Sequence, residues 1–132
     1  SAASDVYKRQ LQNYVHDLLT IYKKYPALYA GDNNPEGFEW INANDGDRSI
    51  FSFVRKSPTK RNNILYIVNF TPVDRPDYRV GVPKKKQYKL IMDENGLLEQ
   101  PKTFKAVKQK CDNREFSFAY PLPAYGVAIF TY

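Results

Sequence analysis

Ile64-Leu65-Tyr66-Ile67-Val68 and Val127-Ala128-Ile129-Phe130 are the two runs that decide the fold. Both are apolar at odd and even positions alike, and both are shorter than the roughly ten residues a packed helix needs. They therefore read as central strands of a sheet covered on both faces. Next to them the period stays at 2. In Ser49-Ile50-Phe51-Ser52-Phe53-Val54 the phenylalanines share one face, and Ile50, Ser52 and Val54 share the other. Working outward, the same reading predicts strands over Gly37–Ala43, Ser49–Lys56, Ile64–Phe70, Tyr78–Val82, Gln87–Met92, Thr103–Lys108, Glu115–Tyr120 and Tyr125–Tyr132.

The punctuation between these segments fits short antiparallel strands. Asn44-Asp45-Gly46-Asp47 and Asp93-Glu94-Asn95-Gly96 are hairpin signals, because glycine supplies positive φ and Asx side chains close turns on their own backbone. Cys111-Asp112-Asn113-Arg114 is a weaker signal of the same kind. Pro72, Pro76, Pro83, Pro101, Pro121 and Pro123 are expected between strands or at their ends, where a missing N–H is tolerated.

Upstream the period changes to 3.6. From Asp5 to Tyr25 the residues Tyr7, Leu11, Tyr14, Val15, Leu18, Leu19, Ile21, Tyr22 and Tyr25 fall within one arc of about 160° on a helical wheel. Ser4 caps the start, and Pro26 forces Tyr25 out of helical geometry. The expected fold is mainly β: an antiparallel β-sandwich of about eight strands preceded by one amphipathic α-helix.

The chain has 132 residues, with 20 Lys or Arg, 14 Asp or Glu, one His and one Cys, for a formal charge of +6. A (β/α)8 barrel needs about 250 residues and does not fit. One thiol closes no internal disulfide, and one His with one Cys builds no structural zinc site, so neither metal nor cofactor is expected. Eleven Tyr, eight Phe and nine Pro against six Gly is the mixture of a sheet protein with stiff turns. With no long apolar run and no signal-peptide pattern, a cytoplasmic location without membrane contact is expected.

Residues 1–50 hold five basic and seven acidic side chains, so the positive surplus lies in the strands. Lys84-Lys85-Lys86-Gln87-Tyr88-Lys89 and the lysines of 102–110 have the interleaving of a nucleic-acid surface. Lys89, however, alternates with Tyr88 and Leu90 as an outer strand face does, and edge lysines block sheet aggregation, so nucleic acid is not expected as a partner. His16 sits opposite the helix's apolar arc, with neither the partner nor the pocket that a base needs. Cys111 falls in a turn with no sequence-adjacent His and reads as a bystander thiol. Most carboxylates, among them Asp32, Asp45, Asp74, Asp93 and Asp112, stand beside Gly, Asn or Pro as turn formers do. Glu39 is expected on an outer strand face. Trp40, on one face with Phe38, is expected to cover a helix or a neighbouring domain or, less simply, to stack a sugar ring. Tyr78, Tyr88, Tyr120 and Tyr125 are further candidate platforms.

The order of several blocks is similar to that of a known family. Tyr14-Val15-His16-Asp17-Leu18-Leu19 with Tyr22, then Pro26-Ala27-Leu28-Tyr29, then Pro35-Glu36-Gly37-Phe38-Glu39-Trp40-Ile41 resembles the region after the catalytic barrel of bacterial 1,4-α-glucan (glycogen) branching enzymes. Ser49–Arg55, Val68-Asn69-Phe70-Thr71-Pro72-Val73 and Tyr78-Arg79-Val80-Gly81-Val82-Pro83 follow in that family's order. The chain departs from it at Leu90-Ile91-Met92-Asp93-Glu94-Asn95-Gly96, where a Tyr-lined strand and a glycine-rich loop are usual. Its tail, Phe116–Pro123 and Val127–Phe130, is similar to the closing strands of many α-amylase-clan enzymes.

The resemblance implies a fragment. Residues 1–3 would be a cloning remnant, 4–30 the helix and linker at the end of a catalytic barrel, and 31–132 a C-terminal all-β domain. In similar enzymes the barrel's Asp nucleophile and Glu acid/base move α-1,4 segments onto 6-hydroxyls; none of those motifs is present, so no catalytic residue is expected here. The implied partners are that barrel, on the same polypeptide, and glycogen. Trp40, Phe38, Tyr78, Tyr120 and Tyr125 are the candidate contacts for glucan or barrel, and self-association is expected of the fragment alone. The rival readings are a free-standing carbohydrate-binding module and a basic nucleic-acid-binding β-barrel.

Overall fold

The computed structural model describes residues 38–42, 50–57 and 63–132. The expected helix over 5–25, His16 and the Asn44–Asp47 turn lie outside the described residues. Nine strands are present: β1 (Phe38–Asn42), β2 (Ile50–Arg55), β3 (Ile64–Asn69), β4 (Arg75–Val82), β5 (Gln87–Asp93), β6 (Gly96–Lys105), β7 (Val107–Cys111), β8 (Arg114–Leu122) and β9 (Val127–Thr131). They form a six-stranded sheet in the order β1-β2-β3-β9-β5-β6 and a three-stranded sheet β4-β8-β7, with antiparallel pairing throughout. The two runs apolar on both faces, β3 and β9, are paired neighbours at the centre of the larger sheet, with Leu65 opposite Phe130 and Ile67 opposite Ala128.

The chain passes between sheets four times, and one passage corrects the expected strand over Thr103–Lys108. That segment breaks at Ala106, where β6 leaves the edge of the large sheet and β7 joins the edge of the small one. Ala106 is fully buried, and its N–H donates to the Lys86 carbonyl at 3.0 Å. Its methyl group fits between the sheets where a larger side chain would hold them apart. The proline expectation is also corrected. Pro76, Pro101 and Pro121 lie inside strands, each beside a register irregularity (Arg75/Tyr78 in β4, which faces Pro121 of β8, and Leu90/Met92 opposite β6), where ladder pairing is already interrupted.

The core lies between the sheets. Ile50, Val54, Leu65, Ile67, Tyr88, Leu90, Ala128 and Phe130 from the larger sheet meet Tyr78, Val80, Val82, Phe118, Tyr120 and Leu122 from the smaller. Aromatic rings fill its centre, with Phe130 edge-on to Phe118, Tyr120 and Phe104 at centroid separations of 5.2, 5.3 and 5.8 Å. The hydroxyl of buried Tyr88 donates to the Lys84 carbonyl at 2.8 Å, so no donor is stranded there. The lysines of β5, β6 and β7 point outward: Lys89 is exposed between buried Tyr88 and Leu90.

Two tight turns form where expected. Asp93 pairs with Gly96, whose φ of 105° supplies the left-handed residue after the Glu94-Asn95 turn, and Asp93 Oδ1 accepts the Asn95 N–H at 2.8 Å. Cys111 pairs with Arg114 around Asp112 (φ 52°) and Asn113 (φ 59°), both in the left-handed region that short Asx side chains tolerate.

Candidate functional site: the outer aromatic face and the loop rim

In β2 the strand faces resolve in an informative way. Ile50, Ser52 and Val54 point into the core, which sends Phe51 and Phe53 to the outer face of the large sheet. Register then builds a ladder on that face. Trp40 lies opposite Phe53, Phe53 opposite Tyr66, Tyr66 opposite Ile129, and Ile129 opposite Met92. Phe53 stacks on Tyr66 at 4.5 Å and 14°, and Trp40 meets Phe53 edge-on at 5.4 Å. Ile64, Met92 and Ile129 on this face are at most 1% exposed, whereas Trp40 at the sheet edge is 48% exposed. A solvated outer face would alternate to polar residues; this one is a second apolar layer, buried at its centre and open at the Trp40 edge.

Where β3 ends and β9 begins, two loops lock together and present a rim. Asn69 is their hub. Its amide nitrogen donates to the carbonyls of Val73 (3.0 Å) and Pro123 (2.9 Å), and its Oδ1 accepts the N–H and the hydroxyl of Thr71 (2.9 and 2.7 Å). The Tyr125 N–H donates to the Thr71 carbonyl at 2.8 Å, and Asp74 Oδ1 accepts the Ala124 N–H at 2.8 Å. Phe70, Val73 and Tyr125 stand on this rim, exposed by 62, 49 and 64%.

Beneath the rim, Glu94 Oε1 is buried with no hydrogen-bond donor among the described residues. Burial, reinforced by repulsion from Asp93, raises the Glu94 carboxyl above its ordinary range, although the backbone N–H groups of Glu94 and Val127 partly oppose this. Tyr120 is the other titratable group facing it. A raised carboxyl favours the folded state below its unfolded value and loses that contribution as pH rises through its folded value. Glu94→Gln is therefore expected to melt above the wild type at pH 7, with the gap closing towards about pH 4. Melting curves across that range check this, and a Gln variant no more stable than wild type at pH 7 contradicts it.

Glu39 is not on a solvated outer face, as the sequence reading expected. It lies on the side of β1 shared with buried Ile41, and accepts Arg114 Nη2 at 2.7 Å and Lys56 Nζ at 2.9 Å. The Lys56 hydrogen bond, with the Arg114 charge beside it, holds the Glu39 carboxyl below its ordinary value. Its role is to tie β1 to the start of β8, an ion pair across 75 positions that no local pattern signals. Asp112 does similar work. Its oxygens accept the Gly81 N–H (2.8 Å) and the Asn42 amide (3.3 Å). Cys111 Sγ donates to the Arg79 carbonyl at 3.3 Å.

Of the candidate contacts, Trp40 and Tyr125 present surface, whereas Tyr78 and Tyr120 are 8 and 4% exposed with their rings in the core. Phe38 opens β1 opposite Arg55. The sequence does not single out Phe70 and Val73 as site residues: Phe70 reads as the last residue of the Ile64–Phe70 strand, whereas β3 ends at Asn69, and the one available signal is the turn-forming Asn in Asn69-Phe70-Thr71-Pro72. Among the described residues no three of His, Cys, Asp and Glu are grouped to hold a metal ion. The arrangement offers stacking surfaces, and Glu39, Asp74, Asp93 and Asp112 are engaged in turns and cross-links.

Similarity to known proteins follows the same lines. The chain is 42% identical over 130 residues to the 1,4-alpha-glucan branching enzyme GlgB of Butyrivibrio fibrisolvens, covering 94% of this chain and 20% of that protein. It is 46% identical over 85 residues to the Aquifex aeolicus (strain VF5) enzyme of the same name (64% of this chain, 14% of that protein). With that of Bacillus cereus (strain Q1) it shares 33% over 129 residues (92 and 20%). The chain thus spans about a fifth or less of the curated relatives it matches. Residues 40–132, which hold all nine strands but the first two residues of β1, match the profile described as alpha amylase, C-terminal all-beta domain, and the chain belongs to that family.

Proposed function

We propose that this chain is the non-catalytic β-domain of a longer 1,4-α-glucan branching enzyme, a cytoplasmic protein whose barrel transfers α-1,4-glucan segments to 6-hydroxyls, and that it supports that barrel through the exposed Trp40 edge of its large sheet. On this reading residues 4–30 lead out of the barrel and 31–132 form the domain. The observation that carries the proposal is the exposed end of the ladder: Trp40, 48% exposed and edge-on to half-buried Phe53, opens outward at the sheet edge, whereas Ile129 and Met92 further along are already buried. Relatives named as branching enzymes supply the activity and the glucan.

Two measurements test it. The longer polypeptide should form α-1,6 linkages and the 132-residue chain alone should form none. Trp40→Ser should lower the melting midpoint of the longer polypeptide while barely changing that of the isolated chain, because half of the indole is already exposed in the latter. The isolated chain is also expected to self-associate through this exposed Trp40 edge. Sedimentation velocity should show concentration-dependent association that Trp40→Ser weakens. Branching by the chain alone, or a longer polypeptide indifferent to Trp40→Ser, overturns the reading.

A further inference from the structure

Tyr125 holds a backbone conformation that its side chain disfavours. Its φ is 52°, in the left-handed region that a bulky residue enters at a cost of about 1 kcal/mol or more. The loop enforces this. Tyr125 N–H is tied to the Thr71 carbonyl, Gly126 N–H to the Pro123 carbonyl at 2.9 Å, and the Gly126 carbonyl accepts the Asn69 N–H at 2.9 Å. Gly126 is closely packed in the same turn: a Cβ there would lie 2.7 Å from Pro123 and 2.8 Å from Glu94 Oε1. Nothing in the packing requires an aromatic at 125, because its ring is 64% exposed and a glycine would make the same turn without strain. A strained residue kept where the fold does not need it points to a surface role.

Phe70 stands on the facing loop, one residue before the Thr71 that receives the Tyr125 hydrogen bond. It is 62% exposed and braced edge-on by Phe51 at 5.6 Å. The two rings stand on loops hydrogen-bonded to each other, and the Phe70 ring is braced, so the backbone at both positions is ordered before a ligand arrives and binding costs less ordering. Charge narrows the occupant. Loop residues 70–74 and 123–126 carry a single charge, Asp74, on a chain of net charge +6, so a neutral ligand fits better than a polyanion or an anionic lipid surface. Area narrows it further. Three exposed apolar side chains, Phe70, Val73 and Tyr125, fall well short of the roughly 20 residues per partner in a stable protein interface, and suit a few hexose units.

We infer that Phe70 and Tyr125 form a surface site for an α-1,4-glucan chain, separate in role from the Trp40 ladder, with ring faces against the C–H faces of successive glucose units and polar loop groups beside them. The choice of an α-1,4-linked sugar rests on the branching-enzyme reading; the platform itself rests on the geometry. The test is native electrophoresis of the 132-residue chain through gels containing glycogen, with dextran gels as the control. The wild type should be retarded by glycogen more than by dextran. Tyr125→Gly should weaken the glycogen affinity about tenfold, and Phe70→Ser should also weaken it, while the melting midpoint of the glycine variant stays at or above that of the wild type. That pairing separates a binding role from a structural one, since a structural Tyr125 would lose stability together with retardation. Equal retardation by both polysaccharides, a Tyr125→Gly chain that still binds, or an unretarded wild type overturns the site. The branching-enzyme reading is judged by the activity of the longer polypeptide and stands or falls apart from these outcomes.

Discussion

Phe130→Ala is expected to reduce the free energy of unfolding by about 3–5 kcal/mol. Phe130 is fully buried and sits on β9, with Leu65 opposite it on one side and Leu90 on the other. Its ring is enclosed by Phe104, Phe118 and Tyr120 from both sheets. These neighbours belong to hydrogen-bonded strands and cannot collapse into the vacated volume, so the transfer cost and the cavity cost both apply. Against a total of about 5–15 kcal/mol for a domain of this kind, the loss removes about a fifth of the stability or more. Urea denaturation should show a lower midpoint at an unchanged slope. Phe130→Leu, which keeps most of the volume, should cost under about 2 kcal/mol. An alanine variant within about 1 kcal/mol of wild type would mean that the centre of the sandwich lies elsewhere.

The position of Phe130 was readable from sequence for a physical reason that did not extend everywhere. A run apolar at every position has only one place in a sheet protein, the centre, and both β3 and β9 are found there. Turns that need positive φ announce themselves through Gly, Asn and Asp, as at Gly96, Asp112 and Asn113. The orientation of β2 was not readable. Both of its faces are apolar enough to be buried, and only packing of the second sheet decides that Ser52 goes in and Phe53 goes out. The break at Ala106 was hidden because alanine suits a strand interior as well as a crossing point. Tyr78, Tyr120 and Tyr125 are alike by residue type; strand register buries the first two, and a loop constraint exposes the third. Phe70 was overlooked because its meaning comes from a loop more than 50 positions away.

Gly81→Ala is expected to cost at least about 3 kcal/mol, which is more than its single carbon would suggest. In β4, Gly81 pairs with Ser117 of β8, but its α-carbon also carries the tip of the β7–β8 hairpin. A Cβ at this position would collide with the carbonyl oxygen of Cys111 and come within 3.0 Å of Asp112 Cβ. Most of the obstruction is backbone, which cannot rotate away as a side chain can. The tip is itself fixed, because Asp112 receives the Gly81 N–H and the Asn42 amide while Arg114 reaches Glu39 and, at 3.1 Å, the Trp40 carbonyl. Lifting the tip to admit a methyl group breaks these links together, and each hydrogen bond removed contributes about 0.5–1.5 kcal/mol. The damage should therefore appear at a distance. Amide exchange in β1 (Phe38–Asn42), on the other sheet, should accelerate in the alanine variant while the β3–β9 centre stays protected. A variant that loses less than about 0.5 kcal/mol, or one in which exchange at β1 is unchanged, would show that the hairpin tip does not hold the edge strand in place.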